Sequence, residues 1–262
     1  MALFQFLKPS KPNILKEMGF VIDQDGIIDR YAREKQGWDI HLNNSKQAIL
    51  DAVAIHKPST ISILGSGWLL DVPIEELSAL YSKVYLYDIA HPAQIRHKAS
   101  KFSNVEIVEC DITGGSIQKT WDEVQRWKHE HGSIDLSKIV GNGFELQYQS
   151  DMVVSLNILN QLDILICDYL LENTTLNAED LIPLRIAIQK KHIENIQKQA
   201  FCLISDIEEI VKDIETETIE IRPLVLATLP QTSHQKQWQW QFDSSGNYYD
   251  GKSVTFNVQA LF

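Results

Sequence analysis

Thr60-Ile61-Ser62-Ile63-Leu64-Gly65-Ser66-Gly67 is the stretch on which the fold turns. Its first five residues are rich in β-branched types, which pack well on a pleated surface, and they stop where two glycines permit a tight turn. Bounded by Pro58 upstream and glycine downstream, the run reads as a buried strand entering a turn. Working outward, Lys83 to Tyr87 reads as a second strand closed by Asp88, and Val105 to Glu109 as a third closed by Cys110 and Asp111. Gly65, Asp88 and Asp111 follow one another at intervals of 23 residues, each at the C-terminal end of an apolar run. Between them Pro73 to Leu77 opens one helix, with proline at its first position and acidic residues in its first turn, and His91 to Ser100 supplies another. This rhythm predicts parallel strands whose C-terminal ends meet on one edge, where open α/β sheets bind ligands.

Upstream, Asn13 to Met18 and Gly26 to Lys35 are helix-compatible. Asn44 and Ser45 are expected to cap a helix from Lys46 to His56 whose Ile49, Leu50, Val53 and Ala54 share one face. Downstream, Ser116 to His131 reads as an amphipathic helix and Asp151 to Ser155 as a fourth strand, followed by an apolar stretch, Leu156 to Leu171, of no decided type. Glu179 to Ala200 reads as a long helix, and Phe201 to Ser205 as a fifth strand ended by Asp206. The tail changes character: Leu224 to Leu229, Gln237 to Phe242 and Ser253 to Leu261 read as strands, with Ser244 to Asn247 a turn. The expected organisation is a helical N-terminal extension, residues 1–58, packed on an α/β domain, residues 59–262.

The bulk numbers narrow the function classes. A net charge of −11 argues against a broad nucleic-acid footprint, since neutralising several phosphates needs a concentrated basic surface. The richest basic run, Lys190-Lys191-His192, falls in the long helix and reads as a solvated face. Cys110, Cys167 and Cys202 form no CxxC pair or metal-cage spacing and read as reduced core thiols. The N-terminus lacks a secretory pattern and no apolar run reaches membrane-spanning length, so a cytoplasmic protein with no membrane partner and no metal site is expected.

A nucleoside ligand asks three things of such a strand edge: close backbone approach, an acceptor for ribose hydroxyls, and polar groups for the base. Gly65 and Gly67 answer the first, because a β-carbon blocks approach or forbids positive φ. Asp88 is placed to accept from ribose, and Asp111 to accept from an adenine amino group while the Ile112 backbone N–H donates to the ring. A dinucleotide is disfavoured, because the pyrophosphate fingerprint needs a third glycine and this chain continues Trp68-Leu69-Leu70.

Ile63 to Gly67, Tyr85 to Ile89, Val108 to Thr113 and Asp151 to Asn157 together resemble the consecutive motifs of class I S-adenosylmethionine-dependent methyltransferases over about residues 60 to 160. The resemblance implies a three-layer Rossmann-like sandwich, a mostly parallel seven-stranded sheet ending in an antiparallel hairpin, with S-adenosylmethionine as cofactor. It implies that Gly65, Ser66 and Gly67 face the cofactor's methionine end, Asp88 and Ile89 its ribose, Asp111 and Ile112 its adenine, with Asn157 close by. The chain departs from the family in having Ile63 where the first motif begins with an acid, and Leu69 where a third glycine is common. After the fourth strand it reads Ser155-Leu156-Asn157-Ile158, not the Asp/Asn-Pro-Pro-Tyr of enzymes that methylate amino groups of nucleic acids, which leaves a small-molecule or protein acceptor. No catalytic residue is identifiable, as expected where rate comes from orienting donor and acceptor.

Each feature also has a plainer reading. Asp88 and Asp111 suit helix capping; His41, which can close the cofactor cleft, suits a packed loop; His192, a candidate base reaching a sheet-edge cleft, suits an amphipathic helix; and Trp238 and Trp240, candidates to stack on a substrate, suit a strand core. The alternative function is a catalytically inactive methyltransferase-like module that binds a nucleoside or a protein partner.

Overall fold

The computed structural model describes residues 13–130 and 132–262, with the side chains of residues 21–25 left out of the description. The expectation about the first residues, and His131 at the end of its predicted helix, lie outside the described residues.

The chain opens with α1 (Ile14–Glu17), α2 (Phe20–Arg33) and α3 (Lys35–His56), and then enters β1 (Thr60–Leu64). There follow α4 (Ile74–Leu80), β2 (Lys83–Asp88), α5 (Ala93–Ala99), β3 (Val105–Glu109), α6 (Ser116–Glu130) and β4 (Met152–Leu156). The second half comprises α7 (Ile164–Asn173), α8 (Ala178–Ile196), β5 (Ala200–Asp213), β6 (Ile219–Pro223), β7 (Gln235–Asp243) and β8 (Lys252–Leu261).

The strands form one sheet in the order β3-β2-β1-β4-β5-β8-β7. Strands β1 to β5 are mutually parallel, while β8 runs antiparallel between β5 and β7. Helices cover both faces, dividing the apolar core in two. One half lies under α3 and centres on Ile61, Ile63, Leu86 and Val154; the other contains Leu64, Val153, Leu170 and Ile193. The fold is the expected Rossmann-like α/β sandwich with a reversed C-terminal hairpin, and β1 is central because its alternate side chains fill both halves.

Four local expectations are corrected. Asn44 and Ser45 cap nothing: α3 runs unbroken from Lys35, because Trp38, Leu42, Ser45, Ile49 and Ala52 recur at helical spacing and are all buried. His41 accordingly sits on this helix and not in a loop. Pro73 is the N-cap of α4 and not its first helical residue. The fifth strand does not stop at Asp206 but continues to Asp213, and its outer half pairs with β6, so the sheet has eight strands among the described residues where seven were expected.

The fourth correction is Leu224 to Leu229, which is not a strand. Its backbone groups are met by a side chain instead of a ladder. Gln189 on α8 donates from Nε2 to the Leu224 carbonyl at 3.0 Å and accepts at Oε1 from the N–H groups of Leu226 and Ala227 at 2.7 and 3.1 Å. A buried glutamine thus satisfies the segment as a strand neighbour would.

Candidate functional site

At the C-terminal ends of β1 to β4 a cavity of about 320 Å³ opens, roofed by α2 and α3 and closed on one side by β7 and β8. All eight residues singled out in the sequence, Gly65, Ser66, Gly67, Asp88, Ile89, Asp111, Ile112 and Asn157, line it. The volume lies within the range of roughly 300 to 1,000 Å³ usual for small-molecule sites.

The glycine turn is shaped by its neighbours. Gly65 has φ +81°, and a Cβ there would stand 2.1 Å from the Ile158 side chain and 2.7 Å from the Leu156 carbonyl oxygen. Gly67, at φ +37°, meets only Asp88 Oδ2, at 3.5 Å, so the space beside its backbone belongs to the cavity. Leu69, where a third glycine would stand, keeps a glycine-like φ of +53° while its side chain is buried in the core under α3. A non-glycine residue in this region carries strain of about 1–3 kcal/mol, which the burial of leucine offsets. The turn therefore retains the backbone of the glycine motif without its third glycine.

The polar groups divide their work. Asp88 accepts the Gly67 N–H at Oδ2, 2.8 Å, and its own neighbour Ile89 N–H at Oδ1, 2.7 Å. Asp111 accepts from Thr113 N at 2.8 Å, from Thr113 Oγ1, and through Oδ2 from Gly115 N at 3.1 Å, so its carboxylate organises the loop after β3. Ser66 is buried, and its hydroxyl lies 2.8 Å from His91 Nε2; what it offers the cavity is backbone. Cys110 also lines the cavity, with a thiol pushed up to about 11 by burial and then by Asp111 and Asp88, which leaves it protonated and inert at neutral pH.

A second cluster lies at the inner end of the cavity; sequence reasoning names Asn157 for the site and His41 for closing the cleft, but not Asp71, Asn160 or Asp206 as site residues. Asn157, at φ +51° after β4, donates from Nδ2 to Asp71 Oδ2 at 2.8 Å, and the same nitrogen lies 3.2 Å from His41 Nε2. The other ring nitrogen of His41 accepts from Trp238 Nε1 at 3.1 Å, and the ring stacks on Trp240 at 3.9 Å between centroids. Burial drops His41 to about 3, so the imidazole is neutral. Burial lifts Asp71 to about 6, the Asn157 hydrogen bond opposing it. Asp206 rises to about 8 by burial, with a hydrogen bond from Asn160 pulling it down and the charge of Asp71 adding to the rise. Asn157 Oδ1, Asn160 Oδ1, Asp206 Oδ1 and Trp240 Nε1 are all buried without a partner and all belong to residues of the cavity wall. Asp71 was discernible as a carboxylate inside the apolar run Leu69 to Val72, and Asp206 as one inside a run whose apolar residues resume at Ile207.

The remaining suggestions fall outside the site. His192 is buried on α8, where Nε2 lies 2.8 Å from Ser155 Oγ and burial lowers it to about 3; it does not line the cavity. Lys190 and Lys191 lie on the exposed face of the same helix. Cys167 and Cys202 are buried free thiols. No group of three or more His, Cys, Asp or Glu side chains suited to a metal ion occurs among the described residues, and no described helix is long and apolar enough to cross a membrane.

The cavity and sheet define a class of protein: a Rossmann-like α/β sandwich with a nucleoside-sized cleft over its glycine turn. Solved structures similar to this chain include the N-methyltransferase NodS of Bradyrhizobium japonicum WM9 in complex with S-adenosyl-L-homocysteine. It shares 10% identity over 83% of this chain and 85% of that one, with a TM-score of 0.36. Another is the 1,6-didemethyltoxoflavin-N1-methyltransferase of Burkholderia thailandensis with bound 1,6-didemethyltoxoflavin and S-adenosylhomocysteine, at 8% identity, 98% and 94% coverage and a TM-score of 0.37. A third is the S-adenosylmethionine-bound amino pentose methyltransferase CalS10 of Micromonospora echinaspora, at 10% identity, 98% and 100% coverage and a TM-score of 0.31. No protein-family model matches the chain, and no curated protein does.

Proposed function

We propose that this chain is an S-adenosylmethionine-dependent methyltransferase of the cytoplasm, acting on a small-molecule acceptor. The observation that carries the reading is the cleft beside Gly67, open where a Cβ would stand and bordered by Asp88, Asp111 and Asn157. The residues fit the cofactor: Asn157 Oδ1, buried without a partner, belongs to the wall that would face its amino-acid end. When bound, the sulfonium supplies an electrophilic methyl group.

The chain's own part is binding, orientation and exclusion of water. Gly65 and Gly67 let the ligand approach the backbone, Asp88 takes the ribose hydroxyls, and Ile89, Asp111 and Ile112 border the base. The aromatic wall of Trp38, Trp240, Phe242 and Phe256 encloses the inner end, which favours a small acceptor over a protein segment.

Calorimetric titration with S-adenosylmethionine tests the proposal, with saturable one-to-one binding expected. No heat of binding at millimolar ligand overturns it. A second reading, a module that binds a nucleoside without turnover, draws on Asp111, whose two carboxylate oxygens already serve its own loop. Turnover with candidate acceptors separates the two.

A further inference from the structure

Beyond the glycine turn, the cavity reaches Asp206 on β5, a strand separated from β1 by β4. Its carboxyl is 2% exposed. It receives a hydrogen bond from Asn160, yet Asp206 Oδ1 and Asn160 Oδ1 remain buried without donors. Burial holds Asp206 in its protonated form, and a ligand that brings N–H groups to this corner would be met by both oxygens and let the carboxyl ionise.

The strand is bent immediately after Asp206. The pairing of β5 with β8 shifts register between Asp206 and Glu208, leaving Ile207 as an extra residue, and the pairing of β7 with β8 shifts in the same way at Phe242. Bulges re-aim side chains and are over-represented beside active sites. Here the first bulge brings Asp206, opposite Val258, and Glu209, opposite Phe256, onto one face of the sheet, although three residues of regular strand would place them on opposite faces. Phe242 shares the face of Trp240 by ordinary strand alternation and lines the cavity beside Trp240 and Phe256, at ring separations of 5.0 and 4.7 Å.

We infer that Asp206 and Asn160 form the recognition end of the methyl-acceptor pocket, and that the acceptor is an amine carried on a flat apolar body. A hydroxyl brings one donor, whereas an amine brings two or three and answers both oxygens at once. The aromatic faces suit a flat apolar body. Asp206 also receives the proton. The acceptor reacts as the free amine once Asp206 has released its own proton to solvent: the nitrogen lone pair forms the new bond to the methyl carbon, the carbon–sulfur bond breaks with its electron pair remaining on sulfur, and an N–H proton of the resulting ammonium passes to the Asp206 carboxylate.

This inference rests on the methyltransferase reading, and the test separates the two. Protein saturated with S-adenosylhomocysteine is titrated calorimetrically with benzylamine and 2-(aminomethyl)naphthalene, and in parallel with the corresponding alcohols. At least tenfold tighter binding of the amines is expected in the wild type, a comparison that needs no variant. In Asp206→Asn the preference is expected to fall to within twofold, while S-adenosylhomocysteine affinity stays within twofold of wild type. Equal binding of amine and alcohol, no amine binding at 10 mM, or a preference that survives Asp206→Asn overturns the inference. So does a tenfold loss of S-adenosylhomocysteine affinity in that variant, which would assign Asp206 to the cofactor. Failure of S-adenosylhomocysteine to bind the wild type overturns the methyltransferase reading instead.

Discussion

Asp88 Oδ2 accepts the backbone N–H of Gly67 at 2.8 Å, tying the end of β2 to the glycine turn after β1. The carboxylate proposed to hold a ribose is thus also the clamp that shapes the turn. Asp88→Ala removes both functions. It is expected to lower S-adenosylmethionine affinity at least thirtyfold and stability by about 1–2 kcal/mol, the scale of a lost hydrogen bond to a charged group. Calorimetry and urea denaturation measure the two effects separately. Unchanged affinity would move the nucleoside site elsewhere.

The two glycines of the turn should fail differently. Gly65→Ala puts a methyl group 2.1 Å from Ile158 and forces alanine to φ +81°, so a stability loss of about 3 kcal/mol or more is expected from overpacking and backbone strain. Gly67→Ala meets no protein atom closer than 3.5 Å. It is expected to lose only about 1–2 kcal/mol of stability, from the backbone strain of alanine at φ +37°, and yet to lose cofactor binding, because its methyl group occupies the cleft. Equal loss of stability in both variants would show that the space beside Gly67 is not a ligand cradle.

His192 predicts a pH signature away from the site. Its folded value is lowered to about 3 by burial, against about 6.5 in the unfolded chain. Between these values the unfolded chain holds a proton that the folded chain does not. Its contribution is therefore fully present above pH 6.5 and is lost as pH falls toward 3, at up to about 1.4 kcal/mol per pH unit. His192→Gln removes that titration, so urea-denaturation stability measured from pH 4.5 to 7 should fall less steeply in the variant, by about one proton. Parallel curves would mean that His192 is charged in the folded protein.

The helical segment and the sheet are proposed to form one cooperative unit. Trp38, Ile49, Ala52 and Val53 of α3 lie in the same apolar core as Ile61 and Val154, and the Trp38 indole N–H donates to the Phe242 carbonyl at 2.9 Å. Residues 59–262 alone would expose this face of the sheet and leave a buried carbonyl unpaired. Loss of a cooperative thermal transition is expected on deletion of residues 1–58; a sharp transition by calorimetry would show instead that the α/β domain folds alone.

The parts of the fold legible in the sequence were those written in local signals. β1 announces itself through β-branched residues ended by glycine, and the even spacing of Gly65, Asp88 and Asp111 predicts strand ends on one edge. Where two local signals competed, the readings failed. Asn44 and Ser45 are good caps, but burial of Trp38 and Leu42 continues the helix through them. Leu224 to Leu229 has strand composition, yet the Gln189 side chain, distant in sequence, takes its hydrogen bonds.

By itself the sequence determined the cleft's outer half: the glycine turn and the strand-end carboxylates, each set by a few adjacent residues. It also disfavoured a dinucleotide, through Leu70 at the third glycine of the fingerprint. Only the tertiary structure decided the inner half. His41 of α3, Asp71 after the turn, Asn157 and Asn160 after β4, Asp206 of β5 and Trp240 of β7 meet there from separate elements. Their chemistry depends on burial, which raises Asp206 and lowers His41, and on the strand register that sets Asp206 opposite Val258. Burial and register belong to the assembled sheet, and no single segment carries them.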